Sequence, residues 1–287
     1  MPTIKFGTDG WRAVIAEDFT FDNVRACAQG VANYLTQARH STQGIVIGYD
    51  TRFASEDFAA VSAAVLAANG IKVLLCSKVA PTPVVSYVVT ATKSAGGIVI
   101  TASHNPGRWN GFKYKDSTGA SAPAELAATV ERNTNEALSS GTIKSMPLEQ
   151  GIAKGLITYY DPAPVYDEQI KRLLDLKSIR QNRFKIVIDS MFGAGSGYFQ
   201  SFLSNSSLNI TEINAERNPL FPGIQQPEPI ARNLVKLSQT VKEQKADVGL
   251  ATDGDADRIG IVDEKGNFLN PQQVFALLAL YFLEVRQ

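Results

Sequence analysis

Short unbroken apolar runs alternate with longer amphipathic stretches along most of the chain. Residues 44–49, Gly-Ile-Val-Ile-Gly-Tyr, read as a buried strand. The alanine-rich stretch 56–69 follows as a helix stopped by Gly70. Residues 71–76 form the next expected strand, 82–93 a helix with Pro83 in its first turn, and 97–101 a third apolar strand. A short strand at 112–115 and a helix at 123–138 complete this half. Strands that are apolar throughout, with helices between them, imply a mostly parallel sheet covered on both faces.

Residues 139–155 change character: they are rich in Ser, Gly and Thr and carry Pro147, so a domain boundary is expected there. The pattern then restarts. A helix at 166–176, a strand at 184–188, a glycine-rich turn at 193–197 leading into a helix that ends near Leu203, and a strand at 209–213 follow in order. A helix at 231–244, a strand at 247–251 and another at 259–262, ended by the turn Glu264-Lys265-Gly266-Asn267, close the second half. The expected architecture is α/β, with two similar α/β domains, 1–150 and 151–263, each a mixed, mostly parallel sheet sandwiched by helices. Residues 264–287 then read as the start of a third domain. Its apolar helix at 271–286 is an orphan that needs a partner, and dimerisation through Phe275, Leu278 and Phe282 is one expectation.

Charge narrows the function classes. Lys and Arg total 28, Asp and Glu total 28, and the formal net charge is +0, which argues against general nucleic-acid binding or a basic membrane-binding surface. The apolar run 274–285 is too short to span a bilayer, and residues 1–7 show no apolar signal region. A soluble cytoplasmic protein is expected, with Cys27 and Cys76 as free thiols in a reducing compartment.

Two motifs carry the candidate chemistry. Thr101-Ala102-Ser103-His104-Asn105-Pro106 directly follows an apolar strand, where α/β sheets gather ligand groups, and it offers one hydroxyl among small or rigid neighbours. Alone, it also reads as an ordinary Ser/Asn/Pro turn. Asp253-Gly254-Asp255-Ala256-Asp257-Arg258 alternates carboxylates, which repel one another unless a cation sits among them. Oxygen donors favour Mg²⁺ or Ca²⁺ over zinc. The competing readings are a solvated acidic turn and an EF-hand loop. The EF-hand fits Asp253, Asp255, Asp257 and Glu264 but meets Arg258 where glycine belongs. Arg12, closing Gly7-Thr8-Asp9-Gly10-Trp11-Arg12, could clamp a phosphate, though alone it reads by default as a surface arginine, and Lys113 could contact a phosphate or donate a proton, or equally be a plain surface lysine. Residues 193–197 lack the spacing of a phosphate-binding loop and read as a close strand-to-helix turn.

The serine loop, the Asn110-Gly111-Phe112-Lys113 behind it, the Gly7–Arg12 turn and the acidic loop together, in this order, resemble the α-D-phosphohexomutases. The resemblance, to the N-terminal two-domain portion, implies four domains around a cleft, the first three being similar α/β units. It implies a phosphoserine at Ser103, and Mg²⁺ held by that serine's phosphate with Asp253, Asp255 and Asp257. Arg12, Lys113 and Arg258 would line the substrate side, with Lys113 the general acid/base and His104 part of the catalytic serine loop. The implied activity interconverts hexose 1-phosphate and 6-phosphate, glucose or mannose phosphate being favoured, through a hexose 1,6-bisphosphate. The family's Gly-Glu-x-Ser-Gly-like sugar loop and Arg-x-Ser-Gly-Thr-like phosphate loop do not occur in these 287 residues. A low-activity fragment is therefore expected, the alternatives being a non-catalytic sugar-phosphate or metal-binding module and a phosphatase.

Overall fold

The computed structural model describes residues 3–204 and 206–286. The first unit begins earlier than the apolar pattern suggests, with β1 (Trp11–Val14) and α1 (Phe21–Gln37). Thr20 caps α1 by accepting a hydrogen bond from the Asn23 amide, and Val24, Cys27, Ala28, Val31 and Leu35 form its buried stripe. Then come β2 (Ile45–Tyr49), α2 (Ser55–Ala68), β3 (Val73–Cys76), α3 (Thr82–Ala91), β4 (Gly97–Ile100) and β5 (Trp109–Lys115). The unit finishes with α4 (Ala124–Ser140), α5 (Leu148–Ala153) and β6 (Ile157–Tyr160).

The sheet order is β1-β5-β4-β2-β3-β6. The β4–β2, β2–β3 and β3–β6 pairs are parallel, whereas β5 runs antiparallel to both β4 and β1. Because β6 hydrogen-bonds to β3, this sheet continues past the boundary expected at residue 150. Two-sided burial explains the unbroken apolar runs. On β2, Ile45 and Ile47 join the core formed with α1, α2 and α4, while Val46 joins Val85, Val88 and Val89 of α3 on the opposite face.

The second unit contains α6 (Ala163–Leu173), α7 (Leu176–Gln181), β7 (Lys185–Asp189), α8 (Tyr198–Phe202), β8 (Asn209–Ile213), α9 (Val235–Gln244), β9 (Val248–Thr252), β10 (Ile259–Val262) and β11 (Phe268–Leu269). Its order is β11-β10-β9-β7-β8, with β9, β7 and β8 parallel and the other two pairs antiparallel. The single helix expected at 166–176 is instead broken, because Asp175 starts a new one by accepting from the Ser178 amide. The helix expected from residue 231 begins as a 3₁₀ turn, with α9 proper starting at Val235.

The last helix, α10 (Pro271–Tyr281), opens on a capping box between Asn270 and Gln273 and runs into a π turn at Phe282–Arg286. It buries none of its residues, and Phe275 is 75% exposed. Cys27 and Cys76 are buried and free, and burial pushes the Cys76 thiol up to about 12. No helix among the described residues is long and apolar enough to cross a membrane.

Candidate active site

β4 delivers Ser103 to the carboxyl end of the first sheet, and β9 delivers Asp253 to the carboxyl end of the second. The two loops meet there. Ser103 is 2% exposed and sits at φ 52°, a left-handed conformation uncommon for serine. Its amide donates to Thr101 Oγ1 at 2.8 Å, and the Asn105 amide closes the turn onto the Ala102 carbonyl at 3.0 Å. The Ser103 hydroxyl donates to Asp253 Oδ2 at 3.0 Å and lies 3.3 Å from His104 Nδ1.

The acidic loop is wound around Asp253. Its Oδ1 accepts from the amides of Asp257 at 2.9 Å and Arg258 at 3.0 Å. Asp255 is fully buried: Oδ2 accepts from Thr82 Oγ1 at 2.6 Å and from Lys113 Nζ at 2.9 Å, while Oδ1 has no hydrogen-bond partner. Asp253, Asp255 and Asp257 each offer a carboxylate oxygen, and these oxygens all lie within 4.8 Å of one another. Backbone contact sets the spacing. A Cβ on Gly254 would stand 2.4 Å from the Ser103 carbonyl oxygen, and one on Gly193 would stand 2.8 Å from the Asp253 carbonyl oxygen. The glycine-rich turn is therefore a close-packed support for the acidic loop. The strands β9 and β10 on either side of that loop remove the EF-hand reading, which needs flanking helices.

Electrostatics make the cluster a candidate cation site. Burial first, then Asp255 and Asp257, push the Asp253 carboxyl up to about 8. Burial also works to raise Asp255, but the Lys113 ammonium and the Thr82 hydrogen bond outweigh it and hold that carboxyl below the usual range. Burial and then Asp255 raise Asp257. Carboxylates this close, on a donor set of oxygen alone and with one buried oxygen lacking a partner, fit a hard divalent cation of the Mg²⁺ class.

Cations border the acidic cluster. Lys113, on β5, is 1% exposed and also contacts Asp9 at 2.7 Å and Asp257 at 3.7 Å. Burial would lower its ammonium, yet Asp255 and Asp9 together raise it. Arg12, opposite Gly111 in the β1–β5 register, donates through Nη1 to Asn105 Oδ1 at 2.9 Å and through Nη2 to Asp9 at 3.3 Å. Burial, followed by the nearby Arg258, lowers His104. Arg258 is the outermost cation, its side chain 46% exposed and paired with Glu228 at 2.8 Å.

Ser103, His104, Arg12, Lys113, Arg258 and the three aspartates thus lie in or beside one seam between the two units. Three others belong with them: Asp9, Thr82 and Arg52. Arg52 follows β2 in Asp50-Thr51-Arg52, and a charged pair directly after an apolar strand was the available signal.

Comparison with known proteins agrees along the chain. Residues 3–140 match the family model for phosphoglucomutase/phosphomannomutase α/β/α domain I, and residues 164–266 match that for domain II. The probable phosphoglucosamine mutase of Thermococcus gammatolerans is 34% identical over 281 residues, covering 97% of this chain and 58% of its own length. The phosphoglucosamine mutase of Caldanaerobacter subterraneus is 33% identical, covering 96% of this chain and 59% of the relative. A crystal structure of a candidate phosphomannomutase from Thermus thermophilus superposes with a TM-score of 0.87 at 36% identity, over 98% of this chain and 62% of the other. The chain therefore spans under two thirds of the length of these relatives. With both domain models matched in order and relatives at 33–36% identity covering nearly all of it, the chain belongs to the phosphoglucomutase/phosphomannomutase family.

Proposed function

We propose that these residues form the phosphoryl-carrying part of a phosphohexomutase, with Ser103 as the carrier. The observation that carries this reading is the hydrogen bond from the Ser103 hydroxyl to Asp253, which joins that hydroxyl of one unit to the carboxylate cluster of the other. In the proposed reaction the Oγ–P bond of phosphoserine breaks as a sugar hydroxyl oxygen bonds to phosphorus. The hydroxyl proton passes, through a group in the seam, to the released Ser103 oxygen, which becomes a hydroxyl again. The bisphosphate then returns its other phosphoryl group to Ser103.

Lys113 lies close enough to the cluster to hold or pass a proton, and Asp9 and Asp255 keep it in place. Arg12, Arg258 and His104 would hydrogen-bond the sugar phosphate. Asp253, Asp255, Asp257 and the Ser103 phosphate would hold Mg²⁺, which when bound draws charge from the phosphoryl oxygens.

The substrate class is a hexose phosphate. The expected leaning towards glucose or mannose phosphate has no counterpart in the curated relatives above, named phosphoglucosamine mutases, so glucosamine phosphate is the first substrate to test. Buried free thiols suit a reducing cytoplasm. The exposed apolar face of α10 is proposed to drive self-association. Tested alone, the 287 residues are expected to isomerise substrate slowly, because orienting the non-reacting phosphate contributes much of the rate.

The deciding experiment is intact-mass and phosphopeptide analysis before and after exposure to glucose 1,6-bisphosphate and Mg²⁺, with Ser103→Ala in parallel. One phosphate, on Ser103 and absent from the variant, supports the reading. No phosphate, with sugar phosphate still bound, favours the non-catalytic module. Steady release of inorganic phosphate favours a phosphatase.

A further inference from the structure

Arg52 touches neither the acidic cluster nor the open side of the seam, yet it is fully buried and every guanidinium N–H is used. Nε donates to Asp50 Oδ2 at 3.1 Å. Nη1 donates to the carbonyls of Pro106 at 2.9 Å and Trp109 at 3.0 Å. Nη2 donates to the carbonyls of Ser103 at 2.7 Å and Asn105 at 2.6 Å. Four of the five acceptors are thus main-chain oxygens of the one segment that carries Ser103.

Asp50 is itself fixed. Its Oδ1 accepts from the Arg52 amide and from Ser55 Oγ, both at 2.9 Å, and Ser55 accepts from Asn110 Nδ2 at 2.9 Å. The second unit closes the arrangement from the other side. The Phe221 ring lies 5.2 Å from the guanidinium carbon, and Arg217 donates to the main-chain carbonyls of Thr51 at 3.2 Å and Arg52 at 3.3 Å.

We propose that Arg52 is the positioning residue of the serine loop: it draws the carbonyls of Ser103, Asn105, Pro106 and Trp109 to the rear and so holds the Ser103 hydroxyl towards the acidic cluster. The inference rests on Ser103 being the phosphoryl carrier. Carbonyl oxygens are the negative ends of their dipoles, and a phosphoryl group on Ser103 is repelled by any that turn forward. A guanidinium gathers all four because its donors fan out in one plane, whereas an ammonium offers three donors from a single point. The φ of 52° at Ser103 is a conformation the loop must be held in, and the Ser103 carbonyl is one of the groups held.

The test compares the parent chain with Arg52→Lys and Arg52→Gln. Hydrogen exchange is read for peptides covering residues 101–110 and, separately, for β2 and β4. Phosphorylation of Ser103 by glucose 1,6-bisphosphate with Mg²⁺ is followed at increasing donor concentration. In a variant that still melts cooperatively, exchange is expected to rise in 101–110 and not in the strands. The phosphorylation rate at saturating donor should fall by about a hundredfold, the scale of a misplaced reacting group, with the half-saturating concentration little changed.

Unchanged loop exchange in a folded variant overturns the proposal. So does exchange that rises evenly through the unit, or loop loosening with phosphorylation at the parent rate. If both variants lose the cooperative melt, the residue is a fold determinant and the positioning role fails. A parent chain that takes no phosphate sinks the carrier reading instead, and the exchange data then decide the loop-holding claim by themselves.

Discussion

Lys113 is a cation with almost no water around it, held by carboxylates from both units. A buried ion pair adds little net stability over an apolar pair, but removing one partner leaves an uncompensated charge. Lys113→Met is therefore expected to destabilise the metal-free chain by about 3–5 kcal/mol, and Asp255→Asn added to it should recover part of that loss. Urea midpoints of the parent, both single variants and the double variant check this. Equal midpoints for the parent and Lys113→Met would contradict it. At this scale the sequence was most legible where chemistry is local. The alternating aspartates and the strand-following serine announce themselves. Asp9, Thr82 and Arg52 are harder to read, because the contacts that tie them to the site are with partners remote in the chain. Thr82 acts on a carboxylate 173 residues on, Arg52 on a carbonyl 51 residues on, and Asp9 through the buried lysine that joins it to the cluster.

At the scale of elements, α3 shows how a plain helix start can serve the site. Its first residue, Thr82, gives its amide to the Asp255 carbonyl at 2.9 Å and its hydroxyl to the Asp255 carboxylate at 2.6 Å. Thr82→Val keeps the shape and removes only the hydroxyl. The expected cost is about 1.5–3 kcal/mol, the range for a hydrogen bond to a charged group, together with weaker Mg²⁺ binding by calorimetry. Unaltered stability and metal affinity would show that the hydroxyl is dispensable. The apolar strands β2, β3, β4, β7 and β9 were all readable, since burial on both faces leaves an unbroken run. β1 was not, because it is a short edge strand whose antiparallel partner comes about a hundred residues later. α1 was missed as well. Its apolar stripe Val24, Cys27, Ala28, Val31 and Leu35 is interleaved with the small buried residues Ala26, Gly30 and Ala32, which dilute the periodicity while letting the helix pack closely. β6 could not be assigned to a sheet from sequence, since pairing partners are a tertiary choice.

At the scale of the whole molecule, two sheets present their carboxyl ends to one seam, and polar contacts cross it. Ser103 to Asp253, Thr82 and Lys113 to Asp255, and Arg217 to Glu56 join the first unit to the second. The Arg217–Glu56 pair is half-exposed and contributes at most about 1 kcal/mol. α10 stands apart, with Phe275, Leu278 and Phe282 all exposed. Sedimentation velocity is expected to show concentration-dependent association of the 287-residue chain, lost when residues 271–287 are removed. A parent chain that sediments as a single monomer at every concentration would contradict this.

The Ser103 hydroxyl that reaches across to Asp253 has one proton to give, and esterification takes that proton away. On the proposed reading, the hydroxyl that ties the units together when bare gives way, when loaded, to a phosphoryl group of about −1.5 to −2 charge facing a carboxylate. That one contact would then change sign with its cargo, joined by a proton in one state and by a bridging cation in the other, beside the contacts to Asp255 and Glu56 that do not involve Ser103. Loading and metal occupancy would in this way be two readings of a single interdomain contact.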